Sequence, residues 1–69
     1  MRNVLIALGN SKSKNSLPYI KRNLNDDSPI VRGAAIWAIH QILKDKELEI
    51  IKDKFLPLER DIDVIKEWG

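Results

Sequence analysis

Residues 28–43, SPIVRGAAIWAIHQIL, set the tightest limit on what this chain can fold into. Ser28 and Pro29 make a helix start: a serine hydroxyl accepts from free amides, and proline suits the first helical position. Beyond them Ile30, Val31, Ala34, Ala35, Trp37, Ala38, Ile39, Ile42 and Leu43 do not fit a single stripe. A helix that is apolar around most of its circumference is buried by neighbours on several sides. This stretch is therefore expected to be the central helix of an all-α stack.

The flanking segments supply the neighbours. Residues 2–9, RNVLIALG, predict a short helix stopped by Gly9-Asn10. Residues 10–15 are polar and turn-like, and Ser16 is expected to cap the next helix. Pro18 is tolerated in that helix's first turn, and Leu17, Ile20 and Leu24 recur at helical spacing. Asn25-Asp26-Asp27 reads as a tight turn into the central helix, and Lys44-Asp45-Lys46 as the turn out of it. Residues 47–56 predict a fourth helix with Leu48, Ile51 and Phe55 on one face, broken by Pro57. Asp61 is expected to cap a last short helix carrying Ile62, Ile65 and Trp68.

These segments repeat. A shift of 31 residues lays Leu17, Ile20 and Leu24 on Leu48, Ile51 and Phe55, and Leu5 and Leu8 on Ile36 and Ile39. Val31 and Val64 match at a shift of 33. A unit of helix, turn and helix with this period predicts a short HEAT-like α-solenoid of about five helices. With the alternating helices named A and B, residues 1–69 form a single domain ordered B-A-B-A-B. The chain then starts in mid-repeat, and either upstream sequence or self-association through the exposed end helices is expected to cover the open face. Gly33 lies inside the central helix, where glycine costs about 1 kcal/mol against alanine. Its expected return is a small-residue surface, with Ala34 and Ala38, that lets another helix approach closely.

Composition narrows the chemistry. There is no cysteine, which removes disulfides, thiolate metal sites, iron–sulfur ligation and a cysteine nucleophile. His40 is the one histidine and has no obvious metal or catalytic partner; it reads as a helix-surface or partly buried residue. Trp37 and Trp68 read as core or inter-repeat residues rather than base-stacking platforms. No apolar run is long enough to cross a bilayer, and no secretory leader precedes the first helix, so a cytoplasmic protein is expected. Nothing in the chain points to a catalyst acting alone.

Charge is uneven. Residues 1–44 carry seven Lys/Arg against two Asp, and residues 45–69 carry five against eight acids. That asymmetry points to a polyanionic partner for the first half. In an A-B solenoid the B-to-A turns share one edge and the A-to-B turns the other. The first edge then gathers Lys12, Lys14, Lys44 and Lys46; the second gathers Asp26, Asp27, Glu59 and Asp61, with Arg60 as the exception. Lysines beside the starts of A helices suit phosphates, although complementing the helix dipoles accounts for the same polarity. Arg32 lies five residues after Asp27 across a helix start, and an Asp27–Arg32 pair is expected.

The segments RNVLIALGNS (2–11), SLPYI (16–20) and DSPIVRGAAIWAI (27–39) together resemble the C-terminal HEAT-like segment of bacterial epoxyqueuosine reductase, over roughly residues 2–43. Residues that match the family pattern are Arg2, Asn3, Asn10, Ser11, Val31, Arg32, Gly33, Trp37 and Ala38; His40 departs from it, where the family more often has glycine. The resemblance implies a part in the last step of queuosine formation at the tRNA wobble position. It implies catalysis by cobalamin and two [4Fe-4S] clusters in upstream domains whose motifs are absent here. This segment would then be the accessory part that holds the tRNA anticodon stem-loop. On that reading Arg2, Lys12, Lys14 and Lys44 contact the backbone, with Asn3, Asn10 and Arg32 as polar partners. The alternatives are a HEAT-type protein-interaction scaffold and, more remotely, a small free-standing enzyme.

Overall fold

A computed structural model describes residues 1–69. Five α-helices and no strands follow in order: α1 (Arg2–Ser11), α2 (Leu17–Asn23), α3 (Pro29–Ile42), α4 (Asp45–Phe55) and α5 (Ile62–Glu67). Single 3-10 turns lead into α2 (Lys14–Ser16) and out of α4 (Leu56–Leu58, around Pro57). None of the helices is long and apolar enough to cross a membrane.

The all-round apolar stretch is the centre of the fold. Helix α3 packs against α1, α2 and α5. It contributes Ala34, Ala35, Ile36, Ala38 and Ile39 to a core completed by Leu5, Ile20, Leu24, Leu43, Val64 and Trp68. Leu5, Ile20, Ile36 and Ile39 are fully enclosed, each worth about 1.5–3 kcal/mol of burial. The one buried polar side chain, Asn23, donates to the Tyr19 carbonyl at 2.9 Å. Helix α4 is different: none of its residues is fully buried, and Leu48, Ile51 and Phe55 reach the core only from its margin. The molecule measures 28 × 27 × 17 Å, and the short axis is what two helix layers spaced by about 8–10 Å produce.

The starts of α3 and α5 share one design, at the 33-residue shift that aligns Val31 with Val64. Asp26 Oδ1 accepts from the Ser28 amide at 2.9 Å, and Ser28 Oγ accepts from the Val31 amide at 3.4 Å. In the next unit Glu59 Oε2 accepts from the Asp61 amide at 3.1 Å, and Asp61 Oδ1 accepts from the Asp63 and Val64 amides at 2.9 and 3.2 Å. An acid two residues before the cap fixes the turn, and the cap residue fixes the helix.

Three local expectations are corrected. Ser16 makes no side-chain cap: it sits at φ −82°, ψ −11°, because a 3-10 turn runs straight into α2, whereas a capping residue needs extended backbone. Gly9 does not stop α1, which continues to Ser11 and ends on Lys12 in the left-handed region at φ 55°. Gly9 is instead the close-approach glycine. A Cβ there would lie 2.7 Å from Trp37 Cζ3 and 2.9 Å from Ala38 Cα, so its absence lets α1 settle on α3. Gly33, expected to serve that purpose, has nothing within 4 Å of the Cβ it lacks.

Candidate nucleic-acid interface and the edge opposite

The B helices α1, α3 and α5 lie side by side with their starts at one edge of the molecule. The turns from B to A helices lie at the other edge. Lys12 is exposed at the end of α1, Lys14 opens the 3-10 turn before α2, and Lys44 immediately precedes α4. A 3.8 Å ion pair from Lys14 Nζ to Glu47 Oε1, the latter in the first turn of α4, shows that the two lysine-bearing turns are neighbours. Both side chains are mostly exposed, and a pair of that kind adds little stability. Asn10 is exposed in the last turn of α1 beside Lys12, while the Ser11 hydroxyl donates back to the Leu8 carbonyl at 2.7 Å. The lysines, not helix amides, carry this edge. Helix α2 has seven residues, and the first turn of α4 carries Asp45 and Glu47, whose negative charge offsets its positive end.

The opposite edge is built around Arg32. Its guanidinium forms a fork with Glu59, Nε to Oε1 at 2.9 Å and Nη2 to Oε2 at 3.0 Å. Nη1 donates to the Asp26 and Asp27 carbonyls at 2.8 and 3.0 Å. The expected Asp27–Arg32 pair is corrected accordingly: Arg32 reaches Asp27 through the backbone carbonyl, and its carboxylate partner is Glu59, 27 residues away. The reason is geometric. A fork needs a carboxylate facing it in plane, and the turn after Pro57 brings one there. Glu59 is 8% exposed at its side chain and also accepts from the Arg60 and Asp61 amides at 3.2 and 3.1 Å. The Arg32 fork, helped by the Asp61 and Arg60 amides, holds the Glu59 carboxyl below its usual pKa against the opposing pull of burial. Hydrogen bonding to Glu59 raises Arg32 in return. One arginine thus ties the turn before α3 to the turn before α5.

The seven RNA-contact candidates therefore separate. Asn10, Lys12, Lys14 and Lys44 share one edge. Arg2 and Asn3 open α1 at its other end, a ten-residue helix away, or about 15 Å at 1.5 Å per residue. Arg2 there lines a groove with Asp61, Asp63 and Glu67. Arg32 is engaged with Glu59. The sequence places Glu59 on the acidic edge but not as the partner of Arg32, although the 33-residue shift lays it on Asp26 and marks it as a turn-fixing acid.

The other singled-out residues serve packing. Trp68 is in the core, and its ring lies 5.9 Å from that of His40. His40 is half-buried, with Nδ1 2.8 Å from the Ile36 carbonyl, an acceptor that places the proton on that nitrogen. Trp37 is half-buried above Gly9. No three His or acidic side chains converge as metal ligands, and a chain without cysteine does not fit an iron–sulfur cluster.

A repeated helix pair, tied to the next by a charge fork, defines a HEAT-like α-helical module. Residues 17–45 match the HEAT repeat family. The particular likeness is to epoxyqueuosine reductases, to a C-terminal segment of which this chain is homologous. The chain is 34% identical to the enzyme of that name from Listeria monocytogenes over 67 residues, covering 96% of the chain and 17% of the relative. It is 33% identical to the one from Bacillus subtilis over a 78-residue alignment, covering 99% of the chain and 20% of the relative. An uncharacterized protein from the gldA 3′ region of Geobacillus stearothermophilus is 39% identical over 67 residues, 96% of the chain and 31% of that protein. The chain thus spans between about a sixth and a third of the length of these relatives. No solved structure matches it.

Proposed function

We propose that this chain is an accessory tRNA-binding module of an epoxyqueuosine reductase, gripping the backbone of an anticodon stem-loop and carrying no activity alone. The observation that carries the reading is the contrast in how the charges are used. Arg32 and Glu59 are spent on each other at one edge. At the other, Lys12 and Lys44 are exposed and in no ion pair, and Lys14 makes only a long contact with Glu47. Exposed lysines on adjacent turns suit phosphates as point charges. Lys12, Lys14 and Lys44 are the backbone contacts, with Asn10 beside them as a hydrogen-bonding partner. Arg2 and Asn3 sit too far along α1 to join the same stretch of backbone and would meet RNA only if it crossed the face of the B helices. Arg32 supports the module from inside the fold. Whole-enzyme chemistry, including cobalamin and iron–sulfur clusters, would belong to the remainder of such a reductase.

Titrating the chain into a labelled tRNA anticodon stem-loop tests this. A few phosphate contacts give a dissociation constant on the order of 10⁻⁴ to 10⁻⁶ M. Reversing Lys12, Lys14 and Lys44 to glutamate together is expected to abolish measurable binding while leaving the helical signal intact. Binding that survives this triple reversal contradicts the reading.

A further inference from the structure

Gly33 sits in the second turn of α3, where it lowers helix stability by about 1 kcal/mol against alanine. Outside its own stretch of helix backbone, no atom lies within 4 Å of the Cβ it lacks. It lies on the floor of a 490 Å³ groove whose lining joins apolar Ile30, Ala34 and Trp37 to charged Arg2, Asp63 and Glu67. Helix α3 forms the floor, with Ile30 and Trp37 flanking Gly33, and α1 and α5 form the walls. Volumes on the order of 300–1,000 Å³ are those of ligand sites.

The walls state the charge of the occupant. On α5, Asp63 and Glu67 are four residues apart and share a face, a like-charge spacing that disfavours the helix. Neither is in an ion pair; those of the molecule join Arg32 to Glu59 and Lys14 to Glu47. Arg2, on the α1 wall, is the single opposing charge. An apolar floor beside two unpaired carboxylates fits a side chain with an aliphatic stem and a cationic head. We infer that this groove docks a lysine- or arginine-bearing amphipathic segment of a partner protein, its stems along Ile30, Gly33 and Trp37 and its cations at Asp63 and Glu67. The groove lies at the far end of the B helices from the lysine edge, so protein and RNA would be held at separate places, and this inference stands whether or not RNA binds.

Gly33→Leu is the decisive variant, because its Cβ enters open space, the rest of the side chain occupies the groove, and leucine improves helix propensity. The probe is a blocked synthetic peptide of lysine, leucine and alanine patterned as an amphipathic helix, titrated calorimetrically, with a glutamate-for-lysine peptide as control. Saturable binding is expected, at least about tenfold weaker in Gly33→Leu, with a melting temperature no lower than the parent chain's. Asp63→Asn and Glu67→Gln should each weaken it about threefold or more. Equal binding by the parent chain and Gly33→Leu, equal binding of the glutamate peptide, or no binding at all overturns the inference. So does self-association of the chain, or binding of the anticodon stem-loop, that Gly33→Leu abolishes, since the occupant would then be a second copy or an RNA.

Discussion

The two edges of this molecule carry opposite charges and use them differently. At the edge where α3 and α5 begin, every turn acid but Asp27 has a job for its carboxylate. Asp26 fixes a turn, Asp61 caps a helix, and Glu59 receives both Arg32 and two backbone amides. Across the molecule, the lysines of the other turns share one long, exposed contact between them. A charge that is half-buried, forked and hydrogen-bonded is structural; charges that cluster in solvent with little to hold are available to a partner. Charge polarity alone does not separate those cases. The depth and partners of each group do.

Arg32 carries the greatest loss. Arg32→Met leaves Glu59 enclosed without its partner and is expected to lose about 3 kcal/mol, as when a buried ion pair loses one member. For a chain of this size that is on the order of 15 °C in melting temperature by thermal denaturation. Loss of RNA affinity should follow only as far as the fold is lost.

Glu59→Gln is expected to lose about 1–2 kcal/mol, since an amide still accepts one hydrogen bond but carries no charge. Its second signature is pH dependence. The Glu59 pKa is lowered in the folded chain from an ordinary value of 4.5. The unfolded chain therefore binds more protons as pH falls through and below that value. The stability contributed by Glu59 is complete above it and is lost as pH drops toward the lowered folded pKa. Denaturation series between pH 6 and 3 should show a shallower acid loss for Glu59→Gln than for the parent chain.

At the other edge the expected effects on stability are small. Lys12 occupies the left-handed region, so Lys12→Gly should gain up to about 1 kcal/mol. The same change should weaken stem-loop binding, which separates stability from affinity at one residue. Lys14→Ala should move stability by no more than about 0.5 kcal/mol in urea denaturation. A larger loss there would mean that the lysine edge is also holding the fold together.

Much of the architecture could be read from residue pattern because it rests on local chemistry. The all-round apolar run marks α3, Ser28 and Asp61 cap as their neighbours suggest, and Pro57 ends α4. The misreadings concern features set by how helices meet. Gly9 and Gly33 look alike in a string, but the helix crossing falls at Gly9 and the open groove at Gly33. Ser16 is a good capping residue placed where the backbone is already helical. Arg32 has an acid near it in sequence, while the carboxylate in its plane comes from the next unit. At the candidate site, the lysines were legible because alternating helices put alternating turns on alternating edges. Arg2 was not, because a residue's edge depends on which end of its own helix it occupies.

Chemical-shift mapping of backbone amides separates an edge that serves the fold from an edge that meets RNA. On addition of the anticodon stem-loop, salt-sensitive shifts are expected over residues 10–16 and 43–47, with the amides of Asp26, Arg32 and Glu59 unmoved. Shifts centred on the Arg32–Glu59 fork, with the lysine-bearing turns silent, would contradict that division of the edges.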